Sequence, residues 1–590
     1  MIELLRRSEL FAPLPDVALA AIAAEFVPVF VPGQRVLFLR DEPSDGMYVV
    51  TRGRLVVIDD AVAPERVLAQ VGRGDHVGEL SLLTEAPRGA TVRAVRDTSL
   101  LRLPPEAFHR VMEGHPALAL RLARSVTALL TAGRRARAAR VATITVLPSE
   151  RGDSVDGFAQ ALGRALAGLG RTAVVDRPRL ASEVGAALLG SEDAERSPVV
   201  SEAFDALEAE HDLTVFVGDA DATPWTQRCV RQADVVLEVA RGPERPRDAP
   251  SVELATLAER RLVVLRPRGT SGRAAARIAA GRYEAHHVVD PDRPDELPRL
   301  ARLLTGSAHG LALSGGSRRT VAYVGVLRAL AEAGVPVDVV AGTSGGALLG
   351  AMRALEWDHA QMLDAMDHID RAPLWRDLGP PLLSMMSGHH YERLLRGLFG
   401  DLALEDLALP LLPVCARLRD GAVVVPARGE LWRAVRASTA LPGVWPPLPY
   451  EGELLVDGGI SNHLPVDLAR ARCGLGPVVA CDAGHELRVD HEDVAMVPAS
   501  GWSRLARWLW PFGRSRRGLT LLDVLLSATC AAATRQREQA IADATLYLRP
   551  FAEADATSVA AMVALGYDTT RAALDRADPR VLGARAATTT

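Results

Sequence analysis

The pentapeptide Gly342-Thr343-Ser344-Gly345-Gly346 limits what this chain can fold into more than any other segment. It stands between an apolar run, Val337–Ala341, and a helix-forming run, Ala347–Leu355. A strand that becomes a helix across so short a turn needs glycines on both sides, Gly342 and Gly346, to permit strained torsions and close packing. A serine at the centre of such an elbow keeps its Oγ exposed, and the helix N-terminus beyond it favours developing negative charge. The pattern predicts a parallel α/β sheet with Ser344 as a candidate nucleophile. The competing reading is a glycine-rich structural turn.

A serine nucleophile needs a base. The apolar run Leu454–Val456 ends at Asp457-Gly458-Gly459, which puts a carboxylate at a strand end, where α/β sheets collect their ligands. Read alone, Asp457-Gly458 is a turn-forming pair. Asn462 follows closely and is the only asparagine in the chain. Upstream, Leu311–Leu313 runs into Ser314-Gly315-Gly316-Ser317-Arg318-Arg319-Thr320. Backbone N–H groups of such a loop, capping the next helix, can converge on an oxyanion. A phosphate loop is the competing reading, weakened by composition: there is no lysine, so all 68 basic residues are arginine. That also excludes a Schiff-base lysine and a Ser–Lys dyad.

The 590 residues predict three or four domains at about 150 residues each. The first unit, 1–140, alternates short apolar strands with Pro32-Gly33, Asp45-Gly46 and Arg52-Gly53 turns before helical periodicity sets in from Pro104. The second, 141–306, alternates apolar strands with helices such as Gly157–Leu169, the mark of a parallel sheet. The third, 307–590, begins strand, glycine loop, helix, strand and ends in a helical extension. A net charge of −5 argues against nucleic acid as a partner. Five scattered cysteines without a CxxC pair support neither a disulfide frame nor a metal site. With no leader-like start and no run of ~18 apolar residues, the expectation is a cytoplasmic protein.

Taken together, the glycine loop, the GxSxG serine and the DGG aspartate resemble, in this order, the patatin-like phospholipase family. Arg436-Ala-Ser438-Thr-Ala-Leu441-Pro442 looks like the family's segment ahead of the aspartate strand. The resemblance implies a Ser344/Asp457 dyad, with Gly315, Gly316, Ser317 and Arg319 in the oxyanion loop and no cofactor for catalysis. Ser317 stands where the family has a third glycine and Thr320 where it has the last, so the loop's geometry is in question if it needs positive φ. A histidine triad through His463 or His485 is the alternative, although both read as ordinary surface or loop histidines.

Val77-Gly78-Glu79-Leu80-Ser81, followed by Pro87-Arg88-Gly89-Ala90, resembles the phosphate-binding cassette of cyclic-nucleotide-binding domains. It implies that Glu79 takes the ribose hydroxyl and Arg88 the cyclic phosphate of cAMP or cGMP, with Gly78, Leu80, Gly89 and Ala90 shaping the site. The chemistry suits these residue types, since a guanidinium forks onto two phosphate oxygens. The segment from Pro224 to Asp234 is similar to one in neuropathy target esterase and its bacterial relatives, which makes the middle unit a nucleotide-hydrolase-like scaffold.

The expected architecture is therefore multidomain α/β: an N-terminal β-roll, a central parallel α/β domain and a patatin-like hydrolase domain. The expected activity is hydrolysis of phospholipid or lysophospholipid acyl esters, regulated by cyclic nucleotide. A nucleotide sensor with a decayed hydrolase is the alternative, motivated by Ser317 and Thr320. A nucleotide-responsive transcription factor fits poorly, because a sheet pattern rather than a helix-turn-helix follows Arg140. The segment 502–517, with three tryptophans among arginines, reads as a peripheral membrane contact or as a packed surface helix; a lipid substrate tilts the reading to the membrane. Oligomeric state is not legible.

Overall fold

The structure is a computed structural model describing residues 5–6, 11, 15–61, 66–114, 141–150, 153–189, 198–242, 258–266, 274–281, 283–380, 382–484, 536–551 and 558–577. The arginine cluster 134–140, His485 and the 502–517 segment lie outside the described residues. Contacts divide the chain into two units, Met1–Gly306 and Ser307–Thr590.

In the first unit, eight short strands form the β-roll: β1 (Val27–Val31), β2 (Val36–Phe38), β3 (Met47–Arg52), β4 (Leu55–Asp59), β5 (Arg66–Val71), β6 (His76–Val77), β7 (Thr91–Ala94) and β8 (Thr98–Leu103). They pair antiparallel in two sheets, β1-β8-β3-β6 and β2-β7-β4-β5. Val50, Leu55, Val92, Ala94 and Leu100 fill the space between them. The turn glycines set the strand ends, while β5 and β6 escape the sequence pattern.

The same unit carries a six-stranded parallel sheet of β9 (Thr143–Pro148), β10 (Thr172–Val175), β11 (Leu213–Val217), β12 (Val235–Arg241), β13 (Glu259–Leu265) and β14 (Ala285–Val289), ordered β10-β11-β9-β12-β13-β14. Every residue of β9 and β11 is buried, as strands covered on both faces require. A buried ionic seam joins roll and sheet. The Asp234 carboxylate accepts the Ala142 and Thr143 N–H groups and pairs with Arg96 Nε at 2.9 Å and Arg54 Nε at 3.4 Å. Burial opposes its charge, but the two guanidiniums hold its pKa below the usual carboxylate range. No sequence pattern pointed to this seam.

The second unit holds an eight-stranded sheet: β15 (Gly310–Leu313), β16 (Val339–Thr343), β17 (Leu411–Arg417), β18 (Val423–Val424), β19 (Leu448–Tyr450), β20 (Glu453–Asp457), β21 (Val478–Cys481) and β22 (Leu546–Leu548). The order is β19-β20-β17-β16-β15-β21-β22, with β18 also on β17. The strands from β17 to β22 are parallel along this path; β18, β19 and β20 pair antiparallel. The fully buried central strands β15, β16 and β21 place the elbow serine and the glycine loop on neighbouring strand ends. Helix Val559–Arg576 packs on helix Ala322–Glu332, where Tyr567 donates to Glu332.

Candidate active site

β16 ends at Thr343, and helix Gly345–Ala354 begins two residues later. Ser344 bridges them at φ +55°, ψ −124°, a strained torsion for a residue with a Cβ. The turn closes against β15: a Cβ on Gly346 would stand 2.4 Å from the Leu313 carbonyl oxygen, so only glycine fits. Two hydroxyls hold the elbow. Ser438, at the end of helix Leu431–Ser438, accepts the Ser344 N–H at 3.0 Å and donates to the Val414 carbonyl of β17 at 2.6 Å. Thr343 Oγ1 donates to the Asn462 carbonyl, which ties the elbow to the turn after β20.

That turn carries Asp457, which is 3% exposed. Its carboxylate accepts the Gly459 N–H at 2.8 Å, and the Ser344 side chain is near enough to draw its pKa down. Burial raises its pKa to about 6, against the opposing pull of the Gly459 N–H and Ser344. The structure thus brings together the serine and the aspartate singled out in the sequence, with the acid poised near neutrality as general-base chemistry favours.

The glycine loop lies beside them. A Cβ on Gly315 would sit 3.2 Å from Ser344 Cβ, while one on Gly316 would press on Ala483 at 2.8 Å from its carbonyl oxygen. Ser314 Oγ donates to the Gly315 carbonyl and the Arg319 N–H to the Gly316 carbonyl. In planar trans peptides this turns the N–H groups of Gly316 and Ser317 the opposite way. Ser317 adopts φ +50°, so the loop does use the left-handed torsion that a glycine would take more easily. Thr320 is buried, donates to the Ser317 carbonyl at 2.7 Å, and fills the space against Gly345. Arg319 stacks its guanidinium on Phe551 at 4.8 Å.

His463 corrects an expectation. Its side chain is only 22% exposed, and its ring flanks Gly315 and Gly459 rather than standing on the surface. Burial lowers its pKa; Asp482 opposes that shift and Arg537 reinforces it. Asp482 itself escaped sequence reading. It accepts from Arg537 Nε at 2.6 Å, Tyr547 OH at 2.9 Å and the Gly484 N–H at 2.8 Å, a buried network under the glycine loop. A signal existed: Val478–Cys481 is a buried-strand run that ends in Asp482-Ala-Gly484, the same form as the run into Asp457.

In the β-roll, Gly78 (φ +89°) turns β6 into helix Glu79–Thr84. Arg88 is buried; it donates to Asp45 Oδ1 at 2.7 Å and to the Gly46 and Gly78 carbonyls, with its guanidinium 4.0 Å above the Phe38 ring. Burial works against the Asp45 charge, yet hydrogen bonds from Tyr48, Arg88 and Arg102 hold its pKa down. Arg88 Nε and Glu79 Oε2 are both buried without a hydrogen-bond partner. An unpaired donor and an unpaired acceptor suit a cyclic nucleotide, whose phosphate and ribose hydroxyl supply the complements. Leu80 is exposed, Ala90 half-buried, and a Cβ on Gly89 would meet open space.

Among the described residues no His, Cys, Asp or Glu cluster could hold a metal ion, and no helix is long and apolar enough to cross a membrane. The chain matches the patatin-like phospholipase family over residues 311–470, the cyclic nucleotide-binding domain over 28–115, and the neuropathy target esterase family P-loop like domain over 140–271. It is 30% identical over 580 residues to patatin-like phospholipase domain-containing protein 7 of Mus musculus and 31% over 588 residues to protein 6 of Homo sapiens. Neuropathy target esterase sws of Drosophila melanogaster is 29% identical over 585 residues. Each comparison covers 88% of this chain, which spans 42%, 42% and 40% of those relatives' lengths. By this evidence the chain belongs to the patatin-like phospholipases related to neuropathy target esterase, with a cyclic nucleotide-binding domain and a P-loop like domain ahead of the patatin domain.

Proposed function

We propose that this chain is a serine esterase acting on phospholipid or lysophospholipid acyl esters through a Ser344–Asp457 dyad, under control of a cyclic nucleotide held by the β-roll. The observation that carries the reading is the strained elbow at Ser344 beside the buried Asp457, a carboxylate of raised pKa. In the reaction, Asp457 takes the Ser344 proton as Oγ bonds to the acyl carbon, and the carbonyl electron pair moves onto oxygen. The Gly316 and Ser317 N–H groups receive that oxyanion. Collapse of the tetrahedral species breaks the ester bond, and Asp457 returns the proton to the departing alcohol. Water, deprotonated by Asp457, then attacks the acyl-enzyme and releases a fatty acid while Ser344 recovers its proton. For the nucleotide, Glu79 and Arg88 are the holding residues.

The test is covalent labelling of the purified protein by a fluorophosphonate, comparing wild type with Ser344→Ala, followed by lysophospholipid hydrolysis with and without cAMP or cGMP. Labelling lost only in the variant supports the esterase. A folded wild type that does not label leaves the sensor with a decayed hydrolase.

A further inference from the structure

In the patatin unit, Leu378 and Met386 form an antiparallel bridge that closes a short hairpin. Its exposed apolar side chains are out of proportion to its length. Five of the eleven exposed large apolar residues among the described residues of this unit lie here: Trp375 (66%), Leu378 (63%), Leu382 (95%), Leu383 (71%) and Met385 (40%). The exposure is not that of a frayed loop. At the hairpin's foot the buried Asp377 carboxylate accepts from Ser387 Oγ, the His390 N–H and ring, and the Tyr391 N–H.

The hairpin is also tied to the site. Met385 and Met386 donate their N–H groups to the Gly443 and Val444 carbonyls, and just before these the Ala440 carbonyl accepts the Asp457 N–H. The chemistry is layered along its length. Two leucines form the tip, while Trp375 stands at the foot with the Arg376 guanidinium 5.5 Å from its ring. Arg376 has no ion pair among the described residues. Aliphatic tips reach acyl chains, whereas tryptophan and arginine favour headgroup depth and anionic phosphates.

We infer that the hairpin 374–386 docks the patatin unit on a phospholipid interface, with Leu382 and Leu383 entering the acyl layer and Trp375 and Arg376 resting among the headgroups. The inference rests on the lipid-ester reading above.

The test is cosedimentation of the full chain with phosphatidylcholine vesicles containing phosphatidylglycerol. Leu382→Ser/Leu383→Ser should lower vesicle binding by about tenfold or more, given the apolar area removed. Hydrolysis of a vesicle-embedded ester should fall with it, while fluorophosphonate labelling and hydrolysis of a soluble short-chain ester stay unchanged. Arg376→Glu should weaken binding most on the anionic vesicles. Three outcomes overturn the proposal: a wild type that does not pellet, a double variant that pellets like wild type, or a wild-type dimer that the double variant dissociates with vesicle binding intact. Failure of the wild type to label or to cleave the soluble ester would instead sink the esterase reading, which vesicle binding does not touch.

Discussion

The Ser344 backbone N–H donates to the Ser438 hydroxyl, which in turn donates to the Val414 carbonyl, so a helix end and a neighbouring strand together clamp the Ser344 elbow. A positive-φ serine persists only where surrounding contacts over-determine it. Ser438→Ala removes the clamp and leaves the Ser344 backbone donor unpaired. We expect a loss of about 1–3 kcal/mol in urea unfolding, together with slower fluorophosphonate labelling. A variant that loses stability but labels at the wild-type rate would confine Ser438 to a structural role.

The buried Asp457 sets a pH window. Its folded pKa, about 6, exceeds the value of 3.8 for an unperturbed aspartate. The neutral acid is therefore the form the fold prefers. Stability from this group is fully present below the unfolded value and is lost as pH rises through 6. Activity runs the other way, since the base must be ionised, so kcat/KM should fall on an acid limb near pH 6. His463 lies beside the same turn with its pKa lowered by burial, which makes His463→Gln the control. The limb should survive that change, while Asp457→Asn should lower turnover by about 100–10,000-fold.

Ser317 and Thr320 depart from glycine in different ways, and glycine at each should have a different effect. Ser317 already holds the φ the loop uses, so Ser317→Gly trades relief of strain against added freedom in the unfolded chain, about 1 kcal/mol each way. Turnover should barely change. Thr320 is buried and fills space against Gly345, so Thr320→Gly should destabilise by about 1–2 kcal/mol through the lost packing and helix-start freedom. A sharp rise in hydrolysis for Ser317→Gly would mean that the native loop is misaimed.

In the β-roll the two residues proposed to hold the nucleotide should separate binding from stability. Glu79 Oε2 has no partner, so Glu79→Gln should weaken cyclic-nucleotide binding by about tenfold, the loss of one charged hydrogen bond, without lowering Tm. Arg88 also carries three structural hydrogen bonds and the Phe38 stack, so Arg88→Ala should lower both. Isothermal titration alongside thermal unfolding checks the pair.

The elbow at Ser344, the strand ending at Asp457 and the cassette around Glu79 and Arg88 were legible because each is a local event: a run of apolar residues, a turn and a helix start within a dozen positions. Periodicity and turn chemistry act at that range, so the chain's order of sheets and its candidate nucleophile could be read from sequence alone. What the sequence left open depends on residues distant in the chain. Ser438 became the elbow's clamp only because helix Leu431–Ser438 packs on β17 and on the helix after the elbow, and His463 became buried only because the β20 turn folds beside Gly315. The Asp234 seam and the Asp482 network needed arginines from other elements to offset desolvation of their carboxylates. The raised pKa of Asp457 belongs to the same class, since burial is a property of packing and no local pattern encodes it. Sequence determined which residues could do the chemistry; tertiary packing decided their torsions, their partners and their charge.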